Sequence, residues 1–352
     1  MKALILAGGE GTRLRPLTLA MPKPVVPVVN VPFLRYQLEL LHKHGVNEVI
    51  LSLGYQPQKI EAVLGDGSDI GMKIHYVVEQ CPLGTGGAYK NAEALLDGPT
   101  IVFNGDILCD LDLTAVLRQH QSHRATATLV LTRVQNPSAY GLVETSDGGR
   151  VTRFLEKPSA DEITCNTINA GTYILDPEVL SVIPGGENYS FERGVFPGLL
   201  LDQRPVYAYV SEGYWIDIGT PQKYMQVHQD ILHRRFCPPM SPVAAKPSMA
   251  ATARVDQNSQ FAPGVVIGEV ARIQSSSLGE GCSVGNDAIV ESCVLWPGVS
   301  VGDNSRLVGC IIGRNCRIGR NVEISRGVVL GDYSVVTDYS LLSSEGTTLR
   351  SA

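Results

Sequence analysis

A short repeat in the last part of the chain constrains the fold most. From Phe261 onward a large apolar residue recurs at steps of six, six and five residues, and the residue two places before it is usually small. A six-residue unit with one large and one small inward side chain is typical of a parallel β-helix, in which three short strands form each triangular coil. One coil takes 17 residues, which predicts one shorter corner. The predicted inward residues are Phe261, Ile267, Ile273, Leu278, Val284, Val290, Leu295, Val301, Leu307, Ile312, Ile318, Ile324, Val329, Val335 and Leu341.

Several cysteines stand at the small, inward positions of the repeat. Packed thiols are expected at four of them, because free cysteine is among the most buried residue types. These residues are Cys282, Cys293, Cys310 and Cys316. Tyr333 and Tyr339 break the small-residue rule, which we interpret as a change of environment in the last coil. No C-x-x-C pair occurs, so neither a zinc ribbon nor a redox pair is predicted, and a reducing, cytoplasmic environment is favoured.

The repeat region, residues 255–352, resembles the left-handed β-helices of the hexapeptide-repeat family, many of which are acyltransferases. Those enzymes use a histidine as general base, whereas no histidine follows His233 in this chain. The resemblance therefore implies a structural, assembling or regulatory role for the solenoid. Residues 236–254 are rich in Pro, Ala and Ser and lack periodicity, which predicts a linker between two domains.

Residues 1–235 alternate between strand and helix patterns, which predicts an α/β fold with a doubly wound, mostly parallel, Rossmann-like sheet. Ligands of such sheets lie beyond the carboxyl ends of the strands. The predicted strands are Lys2–Leu6, Glu48–Leu53, Lys73–Val78 and Pro99–Phe103. The predicted helices are Phe33–His44, Gln56–Leu64 and Thr85–Leu96.

Charge and apolar content argue against two classes of partner. A net charge of −6 gives no electrostatic footprint for nucleic acid. The longest apolar runs are shorter than the roughly 20 residues that span a bilayer. The first apolar run ends in Gly8 and Gly9, which predicts a buried first strand rather than a signal peptide. We therefore expect no nucleic-acid partner and no membrane association.

The loop after the first predicted strand has the composition of a phosphate-binding loop. Its glycines let backbone N–H groups approach a phosphate, and Arg13 and Lys23 supply positive charge for a triphosphate. The loop is neither a P-loop nor a G-x-G-x-x-G motif, since Leu14 stands at the third glycine position. Residues 8–18 read GGEGTRLRPLT, and residues 22–24 read PKP.

This loop resembles the signature of the sugar-1-phosphate nucleotidyltransferases, whose long members carry a C-terminal left-handed β-helix. The resemblance covers the whole chain. It implies transfer of a nucleotidyl group from a nucleoside triphosphate to a hexose 1-phosphate, with release of pyrophosphate. Six further motifs follow in the family's order: EQCPLGTGGA at 79–88, NGD at 104–106, YG at 140–141, FLEKP at 154–158, NAGTY at 169–173 and WIDIGTP at 215–221.

Two carboxylates in these motifs suit a magnesium ion. Asp106 and Asp217 each end a short apolar run, and Mg²⁺ prefers a few hard oxygen ligands and takes the rest from phosphates and water. The resemblance makes Asp106 and Asp217 the metal pair and Mg²⁺ the cofactor. Together with Arg13 and Lys23 they form the implied catalytic set. No side-chain nucleophile is needed, because the anionic sugar phosphate can attack the α-phosphorus in line.

The resemblance also implies two binding sets. The nucleotide-binding set is Leu6, Ala7, Gly8, Gly9, Gly11, Thr12, Arg13, Gln80, Gly84 and Thr85. The sugar-phosphate set is Gly141, Glu156, Lys157 and Asn169. The nearby Asp110 and Asp112 precede a predicted helix, so we expect them to cap it or to be exposed.

Substrate identity is less constrained than reaction class. The motifs look most like those of long mannose-1-phosphate guanylyltransferases, which implies GTP and mannose 1-phosphate. Glucose-1-phosphate uridylyl- and thymidylyltransferases share the core, and Gly86 stands where the guanylyltransferases often have Ala, so that alternative stays open. A non-catalytic regulatory subunit and a fused acyltransferase are alternatives of other classes.

The flat faces of a solenoid predict a homo-oligomer.

Overall fold

The computed structural model describes residues 1–240, 244–344 and, as backbone, 346–349. It consists of two compact units. The first contains Met1–Gly9 and Gln37–Ile216, and the second contains Glu10–Tyr36 and the chain from Asp217 onward. The predicted domain boundaries, 1–235, 236–254 and 255–352, stay a prediction.

The elements before residue 235 alternate as in an α/β fold. The strands are β1 (Lys2–Leu6), β2 (Pro27–Val28), β3 (Val31–Pro32), β4 (Glu48–Leu53), β5 (Lys73–Val78), β6 (Thr100–Asn104), β7 (Ile107–Cys109), β8 (Ala127–Arg133), β9 (Gly141–Thr145), β10 (Val151–Glu156), β11 (Thr167–Leu175), β12 (Val206–Val210) and β13 (Trp215–Asp217). The α-helices are α1 (Phe33–Lys43), α2 (Pro57–Leu64), α3 (Gly84–Asn91), α4 (Leu113–His123), α5 (Phe196–Leu201) and α6 (Pro221–Leu232). Short 3₁₀ or π turns cover Thr12–Leu14, Lys23–Val25, Ser68–Ile70, Glu93–Leu95, Ala160–Glu162, Pro177–Val182 and Phe191–Val195.

A mixed sheet forms the centre of the first unit. Its strand order is β10-β9-β11-β6-β1-β4-β5, with β8 joining β11 to β12, and β7 pairs separately with β13. Strands β6, β1, β4 and β5 are parallel, whereas β11 runs antiparallel to β6 and β8. Ala3, Leu4 and Ile5 are fully buried, as the apolar run at the start of the chain predicts for a central strand. The predicted Rossmann-like sheet is confirmed, and antiparallel strands extend it on one side.

The structure can be compared with the sequence at the termini of three helices. Gly45 follows α1 with a φ of +80°, the left-handed conformation in which glycine often ends a helix. Helix α3 ends at Asn91 rather than at Leu96, and the chain continues as a 3₁₀ turn at Glu93–Leu95. The Asp112 carboxylate accepts a hydrogen bond from the Ala115 N–H at 3.0 Å and so caps α4, as predicted.

The chain after residue 247 forms three parallel sheets, each with one strand from successive coils, and β31 pairs antiparallel at the end of one of them. Its strands are β14 (Ser248–Met249), β15 (Arg254–Val255), β16 (Gln260–Phe261), β17 (Val266–Ile267), β18 (Arg272–Gln274), β19 (Ser277–Leu278), β20 (Ser283–Val284), β21 (Ile289–Glu291), β22 (Val294–Leu295), β23 (Ser300–Val301), β24 (Arg306–Val308), β25 (Ile311–Ile312), β26 (Arg317–Ile318), β27 (Glu323–Ile324), β28 (Val329–Leu330), β29 (Val335–Val336), β30 (Ser340–Ser343) and β31 (Gly346–Leu349).

The predicted repeat is confirmed from Phe261 to Ile324. Ser283 lies opposite Ser300, one 17-residue coil later, and the predicted inward residues over this range are buried. The four cysteines at small positions are fully buried, as expected. Strand β14 lies within the segment predicted as a linker and pairs with β17. Met249 lies opposite the inward Ile267 and stands two steps of six residues before Phe261, so the repeat pattern extends into this segment.

The last coil is one residue longer than predicted. Ile312 lies opposite Leu330, which is 18 residues later. The prediction that Val329, Val335 and Leu341 point inward is therefore wrong, because the extra residue at the preceding corner moves the inward positions to Leu330, Val336 and Leu342.

The same shift of one residue explains why Tyr333 and Tyr339 do not fit the predicted small positions. Tyr333 and Tyr339 have positive φ angles and exposed side chains, as corner residues do. The small positions pass to Ser334 and Ser340, so the small-residue rule is not broken in this coil.

Candidate functional site

The carboxyl end of β1 is held by the neighbouring strands of the first unit. The Ala7 N–H donates to the Ser52 carbonyl at 2.9 Å, and the Leu6 carbonyl accepts from the Gly105 N–H at 2.8 Å. A Cβ on Gly8 would lie 2.6 Å from Glu79 Oε1, so a larger side chain at this position would displace the Glu79 carboxylate. Gly9 has open space where a Cβ would lie.

Asp106 lies in a braced turn between β6 and β7. A Cβ on Gly105 would lie 2.6 Å from the Leu6 carbonyl oxygen, so only glycine lets the turn come so close to β1. From α1, Gln37 Nε2 donates to the carbonyls of Asn104 at 2.9 Å and Ile107 at 2.6 Å. The structure thus brings Asp106, which is half-buried, next to the end of β1.

Glu79 is a site residue that the sequence analysis missed. Its carboxylate accepts from Ser52 Oγ at 3.1 Å and from the Leu83 N–H at 3.1 Å, so it joins the end of β4 to the loop before α3. Gln80, which follows it, is exposed. The available signal was a carboxylate directly after a predicted strand, at the edge where ligands lie.

The glycines at the start of α3 pack against the chain itself. Gly84 has a φ of +70°, and a Cβ there would lie 2.8 Å from the Tyr189 carbonyl oxygen. The N–H groups of Gly86 and Gly87 donate to the same carbonyl at 2.8 and 3.0 Å. These glycines therefore have a packing role within the first unit, and the nucleotide contacts of Gln80 and Gly84 stay a prediction.

A hydrogen-bonded chain links residues of the two predicted binding sets. Asn169 Nδ2 donates to the Tyr173 hydroxyl at 2.7 Å, and that hydroxyl donates to Glu192 Oε1 at 3.5 Å. Thr85 Oγ1 donates to the other Glu192 oxygen at 2.9 Å. Glu192 therefore connects Thr85 of the nucleotide set to Asn169 of the sugar set, and the sequence analysis did not single it out.

Glu156, Gly141 and Lys157 lie together at the edge of the same sheet. Gly141 is the direct partner of Glu156 in the β9–β10 pair, and a Cβ on Gly141 would lie 3.1 Å from Glu156 Oε2. Burial, and then the charge of Glu192, raise the pKa of Glu156 above its usual value. Lys157 is exposed with a φ of +53°, and its N–H donates to the Tyr140 carbonyl at 3.0 Å.

In the second unit the glycine-rich loop closes on Lys23. Gly11 has a φ of +64°, and a Cβ there would lie 2.9 Å from Lys23 Cβ. The Thr18 hydroxyl donates to the Gly11 carbonyl at 2.8 Å. Lys23 is buried, whereas Thr12 is exposed. The loop therefore brings Gly11 and Lys23 together.

Asp217 in the second unit lies among cationic groups. A Cβ on Gly219 would lie 3.0 Å from both Arg13 Nη2 and Asp217 Oδ2. Lys223 Nζ forms an ion pair with Asp217 Oδ1. Lys223 lies in the first turn of α6, where its N–H donates to the Thr220 hydroxyl at 3.4 Å. The sequence analysis missed Lys223, although a cation in the helical turn that follows Asp217 was a usable signal.

The carboxylates suit magnesium by donor chemistry. Among the described residues, no group of three or more His, Cys, Asp or Glu side chains is arranged to hold a metal ion. Mg²⁺ needs only one or two protein carboxylates when phosphates and water complete its shell, and Asp106 and Asp217 are of that type. Their joint binding of a metal stays a prediction.

No helix in the described ranges is both long and apolar enough to cross a bilayer.

Comparisons with known proteins identify both parts of the chain. Residues 2–234 match the family model described as "Nucleotidyl transferase", and residues 243–341 match "EIF2B subunit epsilon LbH domain", which agrees with a left-handed β-helix. The "Mannose-1-phosphate guanylyltransferase" of Mycobacterium tuberculosis (strain ATCC 25618 / H37Rv) is 45% identical over 232 residues. This alignment covers 65% of the chain and 64% of the relative.

Two further comparisons extend this result. The "Probable mannose-1-phosphate guanylyltransferase 2" of Arabidopsis thaliana is 38% identical over 280 residues, which are 76% of this chain and 75% of that relative. The crystal structure of HddC from Yersinia pseudotuberculosis complexed with GMP-PN is 32% identical and superposes with a TM-score of 0.57, covering 65% of this chain and 99% of that one. Because a family model matches well over half of its residues, the chain belongs to the nucleotidyl transferase family.

Proposed function

We propose that the protein transfers a guanylyl group from GTP to mannose 1-phosphate, which gives GDP-mannose and pyrophosphate. The observation that carries this proposal is the identity of 45% and 38% to relatives named as mannose-1-phosphate guanylyltransferases. The similarity to HddC, whose structure was solved with GMP-PN, supports a guanine nucleotide.

In this proposal the nucleotide binds at the end of β1. Backbone N–H groups of Gly8, Gly9, Gly11 and Thr12 hold the phosphates, and Arg13 and Lys23 neutralise their charge. Leu6 and Ala7 line the same strand end. Gln80 and Gly84 contact the base, and Glu79 supports them by fixing the loop before α3.

The hexose 1-phosphate binds along β9, β10 and β11. Glu156, Asn169 and the backbone at Gly141 accept and donate hydrogen bonds to the sugar hydroxyls, and Lys157 pairs with the phosphate. Tyr173 and Glu192 orient the Asn169 amide through the hydrogen bonds described above. The phosphate oxygen then attacks the α-phosphorus in line, and the bond to the pyrophosphate leaving group breaks.

Asp106 and Asp217 would hold a magnesium ion. When bound, Mg²⁺ supplies charge neutralisation on the triphosphate and the leaving pyrophosphate. The chain's own contribution is positioning and charge, from Arg13, Lys23 and Lys157, and no covalent intermediate on the protein is required.

Measuring pyrophosphate release tests the proposal. GTP, UTP, dTTP and ATP are each paired with mannose 1-phosphate and glucose 1-phosphate in the presence of Mg²⁺. We expect the fastest release with GTP and mannose 1-phosphate. Faster release with UTP or dTTP and glucose 1-phosphate would instead identify the alternative enzyme. No release with any pair would contradict the enzymatic proposal and favour a regulatory subunit.

We also propose that the protein forms a homo-oligomer through the flat faces of the β-helix. Light scattering of the purified protein measures its mass directly, and a mass of 37.9 kDa, that of one chain, would contradict this proposal.

A further inference from the structure

The hairpin that follows Lys23 contains a strained turn. Strands β2 and β3 pair antiparallel, and the two residues between them, Val29 and Asn30, have φ angles of +45° and +65°. A β-branched residue such as valine is a true outlier in this region of backbone conformation. Such a residue persists only where the surrounding structure holds it.

Helix α6 provides one part of this support. The Val29 N–H donates to His228 Nδ1 at 3.3 Å, and the Tyr224 hydroxyl donates to the Pro27 carbonyl. Both side chains are fully buried. Burial raises the pKa of Tyr224, so the phenol keeps the proton that it donates.

The β-helix provides the other part. Trp296, which is 1% exposed, follows β22 at a corner of the coil and donates from Nε1 to the Tyr224 hydroxyl at 3.1 Å. Asn30 Nδ2 donates to the Leu278 carbonyl at 3.1 Å. The hairpin is thus held by hydrogen bonds that begin in the β-helix and end on the backbone carbonyl of Pro27.

The hairpin and α6 are each connected to a residue of the predicted catalytic set, Lys23 and Asp217 respectively. Lys23 lies four residues before Pro27, and the Val26 carbonyl accepts from the Phe33 N–H at 3.0 Å, which ties the turn carrying Lys23 to the hairpin. Lys223, the ion-pair partner of Asp217, lies in the first turn of α6 and directly precedes Tyr224. A shift of the hairpin or of α6 would therefore move Lys23 or Asp217.

We propose that Trp296 is a positioning residue of the nucleotide site, through which the β-helix holds Lys23 in place by way of Tyr224 and the strained hairpin. The β-helix then contributes to catalysis as well as to assembly. The kinetic part of this inference rests on the proposed function, whereas the structural part does not.

The variant Trp296→Phe keeps an aromatic ring but removes the N–H donor. We expect the KM for the nucleoside triphosphate to rise about fivefold, as the loss of one buried hydrogen bond allows, with an unchanged KM for the sugar phosphate. Without substrate, amide hydrogen exchange over residues 23–32 should become faster. The double variant with Tyr224→Phe should match Tyr224→Phe alone, because both changes break the same link.

Leu307→Ala is the matched control, because Leu307 belongs to the inward core of the β-helix. It should lower thermal stability but leave the KM and the exchange over residues 23–32 unchanged. Unchanged exchange in Trp296→Phe, or the same effects in Leu307→Ala, would overturn the inference. If the wild-type protein released no pyrophosphate, the proposed function would fail, and the exchange measurement would still decide whether Trp296 holds the hairpin.

Discussion

Among single residues, Asp217 stands out as a carboxylate close to two cationic side chains. It is buried, forms an ion pair with Lys223, and lies with the Arg13 guanidinium around the backbone of Gly219. A buried carboxylate needs such partners, because an unpaired charge is costly to remove from water. If Asp217 binds the proposed metal ion, we expect the same cations to compete with that ion for the carboxylate.

Replacement of Lys223 tests this competition. We expect Lys223→Met to bind Mn²⁺ about fivefold more tightly than the wild-type protein, because one competing cation is removed from a partly buried carboxylate. Electron paramagnetic resonance of free Mn²⁺ during a titration measures the Kd. Lys223→Arg keeps the charge and serves as the control. Equal or weaker binding by Lys223→Met would show that Lys223 does not compete with the metal.

His228 predicts a specific dependence of stability on pH. Burial lowers the pKa of His228 to about 3, whereas an unfolded histidine has a pKa of about 6.5. Between these values the unfolded chain binds the extra proton, so the free energy of unfolding rises with pH by at most about 1.4 kcal/mol per unit. This contribution is complete above pH 6.5 and is lost as the pH falls toward 3.

The variant His228→Gln isolates this contribution, since glutamine also offers an acceptor for the Val29 N–H but does not titrate. Urea unfolding of both proteins at pH 5, 6, 7 and 8 gives the difference in slope. We expect the wild-type protein to lose more stability than the variant between pH 6 and pH 5, and no difference in slope between pH 7 and pH 8. Parallel curves throughout would contradict a buried, neutral His228.

Among the elements, the last coil of the β-helix allows a direct test of register. Val335 is 69% exposed, whereas Val336 is 8% exposed. We expect Val336→Asp to lower the free energy of unfolding by about 2–5 kcal/mol, because it buries an unpaired charge. Val335→Asp should change it by less than about 0.5 kcal/mol. Thermal unfolding of both variants measures the difference. A larger loss of stability in Val335→Asp than in Val336→Asp would instead support a constant 17-residue repeat, with Val335 pointing inward.

The same coil shows why sequence patterns predict some elements better than others. The repeat from Phe261 to Ile324 is predictable, because one large inward residue per strand must be apolar. The extra residue before Val328 is not, because Val328, Val329 and Leu330 are all apolar and fit either register. Strand β14 was predictable from the same spacing, because Met249 and Val255 precede Phe261 at steps of six residues.

In the candidate site, too, some residues could be predicted from the sequence and others could not. Charged residues within sequence motifs, such as Lys23 and Asp106, can be identified from spacing and resemblance. Glu192 could not be assigned, because its partners Thr85 and Tyr173 are distant in sequence. Lys223 had a usable signal in its spacing from Asp217, but the pairing itself appears only in the structure. The link from Trp296 to the Pro27 carbonyl joins residues more than 260 positions apart, and no local pattern predicts it.

For the whole molecule, the two compact units do not follow the order of the chain. Glu10–Tyr36, which carries Gly11, Arg13 and Lys23, groups with the β-helix rather than with the sheet of β1. We therefore expect that removal of the β-helix would also disturb the loop that carries the predicted catalytic cations.

Tracing the phosphate atoms of GTP tests the proposed nucleotidyl transfer most directly. The protein is incubated with mannose 1-phosphate, Mg²⁺ and GTP labelled with ³²P at either the α or the γ position, and Asp217→Asn is the inactive control. We predict that the α label appears in the nucleotide sugar and the γ label in pyrophosphate. Release of the γ label as inorganic phosphate, its transfer to the sugar, or equal transfer by Asp217→Asn would contradict the proposed reaction.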